Sequence, residues 1–422
     1  MDALIQPVRS GDDAPRLRIA LYSGVVFEHD AVSRSFLEKL DLFERLRGAG
    51  YPIDVVGFTH GTDYDRSSIR VVPGLLALMR HPEFALADLH IFEFAMWYEL
   101  FNALLLVTTP TIVVDHNTTP GHLIESPEVR AACQVACLAR NNLELATHIV
   151  VDGEFTRDQL LDMNMVDDRI SVVHLPPSNA FIHPVGTPVG DRSAGPARLL
   201  FVGRLVHAKG IFDLLQTVEA LWEERGGPDF RLTVAGSLRF SDHETIAAIT
   251  EVEHRFATDG RFTMVADGND ETIASLYATH DALVMPSYHE GYCVPVIEAM
   301  TSGCFVIGSD SGNIPYVMGG LGSTFVAGDL DGMASAIRGF VEALAQGAAP
   351  GAEPLLPTSR GPLPLNEWRD AVRRHLATYT HAHYEQELVN VIRGVLAGAG
   401  SDTYGWLSEA VDRDVAGLAV AP

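Results

Sequence analysis

Two short segments carry residue types that together could hold a phosphorylated sugar. The first, Gly203-Arg204-Leu205-Val206-His207-Ala208-Lys209-Gly210, sets two cations between glycines. The second, Glu290-Gly291-Tyr292-Cys293-Val294-Pro295-Val296-Ile297-Glu298, places two carboxylates around a helix start marked by Pro295. Arginine grips phosphate oxygens through a fork of N–H groups, and lysine meets them as a compact point charge. Cations fixed in advance stabilise a diphosphate more as it leaves than before it leaves, which is what lowers a barrier. Carboxylates suit sugar hydroxyls. Taken singly, these residues would serve as surface ion pairs, a first-turn glutamate or a solvated loop acid. Their combination suits a diphosphate attached to two sugars and points to a nucleotide-sugar enzyme.

These residues need a scaffold. Each segment follows an apolar run, Leu199-Leu200-Phe201-Val202 or Ala282-Leu283-Val284-Met285-Pro286, and opens a helical pattern. Both are therefore strand-to-helix turns, which open α/β sheets gather at the ligand-binding ends of their strands. Strand-like runs at 17–22, 53–58, 69–72, 89–94, 111–115, 148–151 and 170–175 alternate with helical patterns such as 35–47 and 129–145. The alternation restarts with strands expected at 198–202, 231–235, 261–265, 282–285, 304–307 and 323–326. Helices are expected there at 211–225, 244–256, 271–280, 295–301 and 331–345. The pattern predicts an α/β protein with parallel sheets. The expected division is a flexible leader (1–15), a Rossmann-like first domain (16–185), a linker (186–197), a Rossmann-like second domain (198–345), and a connector with C-terminal helices (346–422). Within the last part, 347–364 reads as a Gly/Pro-rich connector and 366–396 as a long helical region that could return to the first domain.

Composition narrows the partners. At 422 residues the chain exceeds one ordinary core, and 47% apolar with 20% charged residues is globular. A net charge of −25 disfavours nucleic acid and anionic membrane surfaces, which are bound through clustered basic residues. Of 30 basic side chains only Lys39 and Lys209 are lysines, so the persistence of lysine at 209 fits a point charge on phosphate. Cys133, Cys137, Cys293 and Cys304 show no metal-ligand spacing, and Cys133 with Cys137 reads as a pair of buried thiols on one helical face. The N-terminus lacks the pattern of a signal peptide, and the most apolar stretch, 100–114, is too short and polar to span a bilayer, which predicts a cytoplasmic location. No metal is expected: Asp329-Leu330-Asp331 reads as a helix cap, and His381 and His383 are poorly spaced for one helical face.

The paired segments resemble glycosyltransferase family 4, the retaining nucleotide-sugar transferases of GT-B fold. The resemblance rests on the Gly203-Arg204…Lys209-Gly210 turn, the Glu290…Glu298 pair and the Glu298-Ala299-Met300 run, and is strongest over 198–330. It implies two doubly wound domains facing across a cleft. It also implies that Gly203, Arg204 and Lys209 hold the diphosphate, Glu298 the ribose, and Glu290 a hydroxyl of the donor sugar. Gly291, Tyr292, Cys293 and Val294 would then present backbone N–H groups at the positive helix end. Family members often carry glycine where this chain has Cys293, which bears on local backbone conformation and donor preference.

The first domain offers weaker candidates. Gly24, after the first expected strand, permits a tight turn and close approach of a ligand. Asp30-Ala31-Val32-Ser33 resembles an Asp-Ala-Ile-Ser segment of some family members, so Asp30 and Ser33 are candidates for acceptor contact; Asp30 reads equally as a helix N-cap. Asp115-His116-Asn117-Thr118-Thr119-Pro120 resembles a His-Asn-Ile-Thr-Pro segment, which implies His116 near the transferred sugar and Asn117 near the acceptor. Arg140 and Arg157 carry too little pattern to be assigned a role.

The expected reaction is metal-independent transfer of a hexosyl group from a UDP- or GDP-sugar to a hydroxyl of a glycan, glycolipid or small glycoside. The resemblance implies retention of configuration, with His116, Arg204, Lys209 and Glu290 as the catalytic set. Rival readings are a sugar-nucleotide epimerase or a phosphorylase of the same architecture, and a non-catalytic nucleotide-binding subunit.

Overall fold

A computed structural model describes residues 15–28, 30–178, 195–238, 241, 243–349, 352–399 and 404–418. The expected leader over 1–15 and linker over 186–197 fall almost wholly outside the described residues. The chain forms two units: Met1–Thr118, Glu128–Leu175 and His381–Pro422 in the first, Thr119–Pro127 and Pro176–Thr380 in the second.

The first unit is built on seven strands: β1 (Leu17–Tyr22), β2 (Ile53–Thr59), β3 (Ile69–Val71), β4 (Leu89–Phe94), β5 (Thr111–Asp115), β6 (His148–Val151) and β7 (Ile170–Val172). They pair in parallel in the order β3-β2-β1-β4-β5-β6-β7. Every residue of β4 and β5 is buried, as expected of parallel strands covered on both faces. Tyr22 of β1 stacks on Phe92 of β4 at 4.3 Å and on Phe58 of β2 at 5.6 Å. Strand order reverses between β1 and β4, and open sheets of this kind bind ligands at such a switch point.

The helix after β1, Ala31–Gly48, begins a turn earlier than its apolar periodicity because Asp30 caps it. The pattern over 129–145 divides into the helix Pro127–Ala139 and a 3-10 segment, Arg140–Leu145. Cys133 is buried there but Cys137 is exposed, correcting the expected pair of buried thiols. The buried stripe of that helix is narrow, made of Cys133, Ala136 and Ala139, and Cys137 falls beside it. The helix His381–Gly398 belongs to this unit; it buries Tyr384, Leu388 and Ile392, and its Glu385 accepts from Arg45 at 2.5 Å.

The second unit repeats the plan with β8 (Ala197–Val202), β9 (Phe230–Gly236), β10 (Phe262–Ala266), β11 (Ala282–Met285), β12 (Phe305–Ser309) and β13 (Ser323–Phe325). These are parallel in the order β10-β9-β8-β11-β12-β13, so the switch point lies between β8 and β11. The expected connector over 347–364 instead contains an antiparallel hairpin, β14 (Leu355–Thr358) with β15 (Gly361–Pro364). Pro357, Pro362 and Pro364 disguise it, since proline is tolerated in strands only where its missing N–H is not needed. The region 366–396 is likewise two helices, Leu365–His375 and His381–Gly398, parted by the 3-10 turn Leu376–Thr378. Trp368 of the first is buried against Phe305 of β12 and donates to Leu321 O at 2.6 Å. Among the described residues, no helix is long and apolar enough to cross a membrane.

Candidate active site

The two signature turns leave adjacent central strands of the second sheet. After β8 the chain passes Gly203, whose N–H donates to Ala235 O of β9 at 3.1 Å. A Cβ on Gly236 would lie 2.0 Å from Gly203 O, so the two strand ends approach as only glycine allows. Leu205 anchors the turn in the core, and His207–Lys209 forms a 3-10 turn. Gly210 closes it at φ +67°, where a Cβ would meet Pro286 O at 2.1 Å. The start of helix Ile211–Glu223 is thereby pressed against the end of β11.

The second turn is tied to the first at several points. Tyr288 N–H donates to Ala208 O at 2.9 Å, its ring stacks on His207 at 5.4 Å, and its hydroxyl donates to Asp213 Oδ2 at 2.5 Å. Lys209 Nζ donates to Glu290 Oε1 at 2.7 Å, and Ser287 Oγ donates to the same oxygen at 2.7 Å. Both bonds fall on Oε1, so Oε2 is the oxygen left to accept from a ligand. The Glu290 backbone is fixed too: its carbonyl accepts from Asn313 N at 3.0 Å, and a Cβ on Gly312 would lie 2.2 Å from it.

Beyond Gly291 and Tyr292, Cys293 takes the left-handed conformation, φ +73°, and leads into the helix Val294–Thr301 without a side-chain cap. An uncapped helix start with Pro295 in its first turn presents N–H groups and a positive dipole end to an anion. Burial pushes the Cys293 thiol well above its usual range, and neighbouring Glu290 adds to this. It is therefore a protonated thiol, not a nucleophile. Glu298 is 8% exposed one turn into the helix. Buried Tyr277 lies close enough that Glu298, after burial itself, helps hold its phenol protonated. Lys209, Glu290, Cys293 and Glu298 are thus one cluster. Arg204 stands apart, exposed on its turn, with no ion-pair partner among the described residues.

The first-unit candidates are more internal than expected. Gly24 sits in the turn after β1, where a Cβ would lie 3.2 Å from Tyr98 Cβ. Asp30 is the N-cap of Ala31–Gly48: its Oδ2 accepts from both the N–H and the hydroxyl of Ser33 at 2.7 Å. Ser33 is fully buried, and its Oγ also accepts from Phe27 N at 3.0 Å. These two side chains build the turn. Asn117, at φ +67°, is buried; its amide donates to Thr156 Oγ1 and Gln159 Oε1 at 3.1 and 2.8 Å, and its Oδ1 accepts from Thr118 N. That side chain shapes the strand end from within.

His116 is likewise bonded within the unit. Its Nδ1 lies 2.6 Å from Asp152 Oδ2 and its Nε2 lies 2.7 Å from Glu93 Oε2, so both ring nitrogens are engaged inside the unit. Neither is left for a sugar hydroxyl. Arg140 is equally internal, donating through Nε and Nη2 to Asp115 Oδ2 at 3.1 and 2.7 Å. Asp329 caps the helix Leu330–Gly347 through Gly332 N. Among the described residues, no three His, Cys, Asp or Glu side chains gather in a way that could hold a metal ion.

Ser287, Tyr288, Asp213 and Tyr277 escaped sequence reading because common residue types at these positions carry no spacing signal. Glu93 offered one: a carboxylate inside the apolar strand Leu-His-Ile-Phe-Glu-Phe needs a buried partner.

Comparison with known proteins agrees with this architecture. Residues 196–343 match the family model described as glycosyl transferases group 1. Glycogen synthase of Mycobacterium tuberculosis is 32% identical over 150 residues, which is 35% of this chain and 34% of that protein. D-inositol 3-phosphate glycosyltransferase of Mycolicibacterium paratuberculosis is 27% identical over 216 residues, 48% of this chain and 46% of that protein. The matches thus span about a third to a half of these curated relatives. Among solved structures, sucrose-phosphate synthase from Thermosynechococcus elongatus aligns at a TM-score of 0.65 and 18% identity, covering 91% of this chain and all of the other. Anabaena HepE, solved with UDP and glucose, aligns at 0.60 and 15% identity, covering 90% of this chain and all of the other. The chain has the GT-B fold, and its residues 196–343 are similar to the group 1 glycosyl transferases.

Proposed function

We propose that this protein is a family 4, retaining glycosyltransferase that moves a hexosyl group from a UDP- or GDP-sugar to a hydroxyl of a glycan, glycolipid or small glycoside. The observation that carries the reading is the Lys209–Glu290 pair beside the uncapped start of Val294–Thr301, at the switch point of the second sheet. Lys209 has three N–H bonds and gives one to Glu290, which leaves two for a diphosphate. Glu290 Oε2 accepts from a donor-sugar hydroxyl, and Glu298 takes the ribose. Arg204, exposed and without an ion-pair partner among the described residues, swings to the leaving phosphate. The UDP and glucose bound by HepE support this class of donor by analogy of fold.

No carboxylate of the cluster is placed as a covalent nucleophile in this reading. Glu290 is held by two donors on one oxygen, which suits it to orient a hydroxyl. The acceptor therefore attacks from the leaving-group face, and the departing phosphate takes its proton. Lys209, Arg204 and the helix end neutralise the diphosphate without a divalent ion. A cytoplasmic location goes with this proposal.

The test is incubation with UDP- and GDP-hexoses and a mixture of glycan and glycoside acceptors in excess EDTA. Nucleoside diphosphate release that requires acceptor, with the donor's anomeric configuration kept in the product by NMR, supports the reading. Turnover requiring inorganic phosphate would assign a phosphorylase, and interconversion of the nucleotide sugar without acceptor an epimerase. Binding without turnover until a partner protein is added would assign a subunit.

A further inference from the structure

Four charged side chains of the first unit, Lys39, Glu93, His116 and Asp152, form a buried chain that runs through His116. Lys39 Nζ lies 3.0 Å from Glu93 Oε1, Glu93 Oε2 lies 2.7 Å from His116 Nε2, and His116 Nδ1 lies 2.6 Å from Asp152 Oδ2. None of these side chains is more than 6% exposed. Ser35 completes the Lys39 end: its carbonyl and hydroxyl accept from Nζ at 3.1 and 2.6 Å, and its hydroxyl donates to Glu93 Oε2 at 3.1 Å.

We infer that Lys39, Glu93 and Asp152 are positioning residues that hold His116 as a doubly protonated ring, so that His116 orders the strand end of the first unit as a fixed cation and exchanges no proton with substrate. A neutral imidazole has one N–H and one lone pair, and here that lone pair would face a buried carboxylate oxygen at hydrogen-bond distance. With the ring doubly protonated both contacts are donor to acceptor. The charges also close only then: Lys39 and His116 are positive, Glu93 and Asp152 negative, and the cluster is neutral in a site that would not tolerate a net charge.

The groups facing the ring are Asp152 after β6 and Glu93 on β4. Behind them stand Lys39 on helix Ala31–Gly48, Tyr384 on helix His381–Gly398, whose ring is 5.8 Å from Lys39 Nζ, and Tyr98 beyond β4. The neighbouring Asp115 is neutralised by Arg140. Burial alone would lower the His116 pKa, but the two carboxylates, Asp152 first, outweigh it and carry the ring to about 10.

Lysine usage is an independent mark. In a chain where arginine supplies all but two basic side chains, the two lysines occupy matching places. Each comes from the element after the first strand of its sheet and pairs with a glutamate from the fourth strand or the turn after it: Lys39 with Glu93, Lys209 with Glu290. The pocket around Lys39 offers three acceptors to one nitrogen, which fits an ammonium and not a planar guanidinium.

The experiment is a pH titration of the full chain labelled with 15N-histidine, with His116 assigned by comparison with His116→Gln. The expected result is that both His116 ring nitrogens stay protonated from pH 6 to 9 while exposed histidines titrate. A His116 midpoint near 7, or a ring protonated at one nitrogen throughout, overturns the inference. Asp152→Asn is expected to bring His116 titration into that range.

The kinetic arm rests on the transferase reading. Asp152→Asn should give the rate profile a pH limb absent from the wild type. Lys39→Met should lower kcat tenfold or more, with nucleotide-sugar KM within about twofold and no rescue by Lys39→Arg. Wild-type kcat in Lys39→Met refutes the positioning role. A wild type without transferase activity refutes the transferase reading instead, and the titration still decides the charge network.

Discussion

Lys209 Nζ meets Glu290 Oε1 at 2.7 Å, joining two turns that leave neighbouring strands of the second sheet. The contact orients a cation and a carboxylate before any ligand arrives, which reduces the reorganisation that a transition state would otherwise demand. Lys209→Met should therefore lower kcat about a hundredfold, within the range seen when a preorganised donor is removed. Glu290→Gln keeps the shape but not the charge, and should lower kcat while leaving nucleoside diphosphate affinity nearly unchanged. Steady-state kinetics on both variants, with diphosphate inhibition constants, checks this. Equal loss of diphosphate affinity in the two variants would contradict the division of labour.

Cys293 occupies a left-handed backbone at φ +73°. A side chain with a Cβ is strained there by roughly 1 kcal/mol or more. Cys293→Gly should thus be about 1 kcal/mol more stable than Cys293→Ala, which keeps the strain and loses the sulfur contacts. Urea unfolding of the two variants measures the difference. An alanine variant as stable as the glycine one would show that surrounding contacts, and not backbone strain, govern this position.

The cysteines should also separate by reactivity. Cys137 is exposed, whereas Cys133, Cys293 and Cys304 are buried, and burial keeps the Cys293 thiol protonated. Alkylation of the native protein followed by peptide mass spectrometry should label Cys137 quickly and the other three only on unfolding. Rapid labelling of Cys293 in the native state would mean the turn opens to solvent.

The His116 site gives stability a defined dependence on pH. Its pKa rises from 6.5 to about 10 in the folded chain, because Asp152 and Glu93 outweigh burial. A raised pKa stabilises the fold fully below the unfolded value, so the contribution is complete below about pH 6.5 and is lost as pH climbs toward about 10. Between those limits the slope attributable to one proton is at most about 1.4 kcal/mol per pH unit. Denaturant unfolding of wild type and His116→Gln at pH 6, 7, 8 and 9 should show the stability gap narrowing as pH rises. A constant gap would mean the ring does not carry that proton.

The signature turns were legible in the sequence because their chemistry is local: glycine, cation and carboxylate at set spacing, bounded by apolar strands. Parallel strands buried on both faces announced themselves the same way, and most of both sheets follow. What stayed hidden depends on contacts far apart in the chain. The hairpin of β14 and β15 carries Pro357, Pro362 and Pro364, which read as a connector. Asp30 and Ser33 satisfy each other across a helix start, and Asn117 turns inward to Thr156 and Gln159. His116 shows the limit most clearly. Its place at a strand end was legible, but its two carboxylate partners come from Glu93 and Asp152, and only the sheet brings them together. Lys39 was visible as one of two lysines, yet its glutamate could not be named without the fold.

The most direct measurement is calorimetric titration of UDP and GDP into the wild type and Glu298→Ala in excess EDTA. Glu298 lies buried beside Tyr277, one turn into the helix that would face the nucleotide, so its removal should affect ribose binding and little else. The prediction is micromolar binding of one diphosphate without metal, weakened at least tenfold, or about 1.4 kcal/mol, by the substitution. Absence of binding by folded protein, or equal binding by the variant, would contradict the placement of a nucleotide sugar at this site.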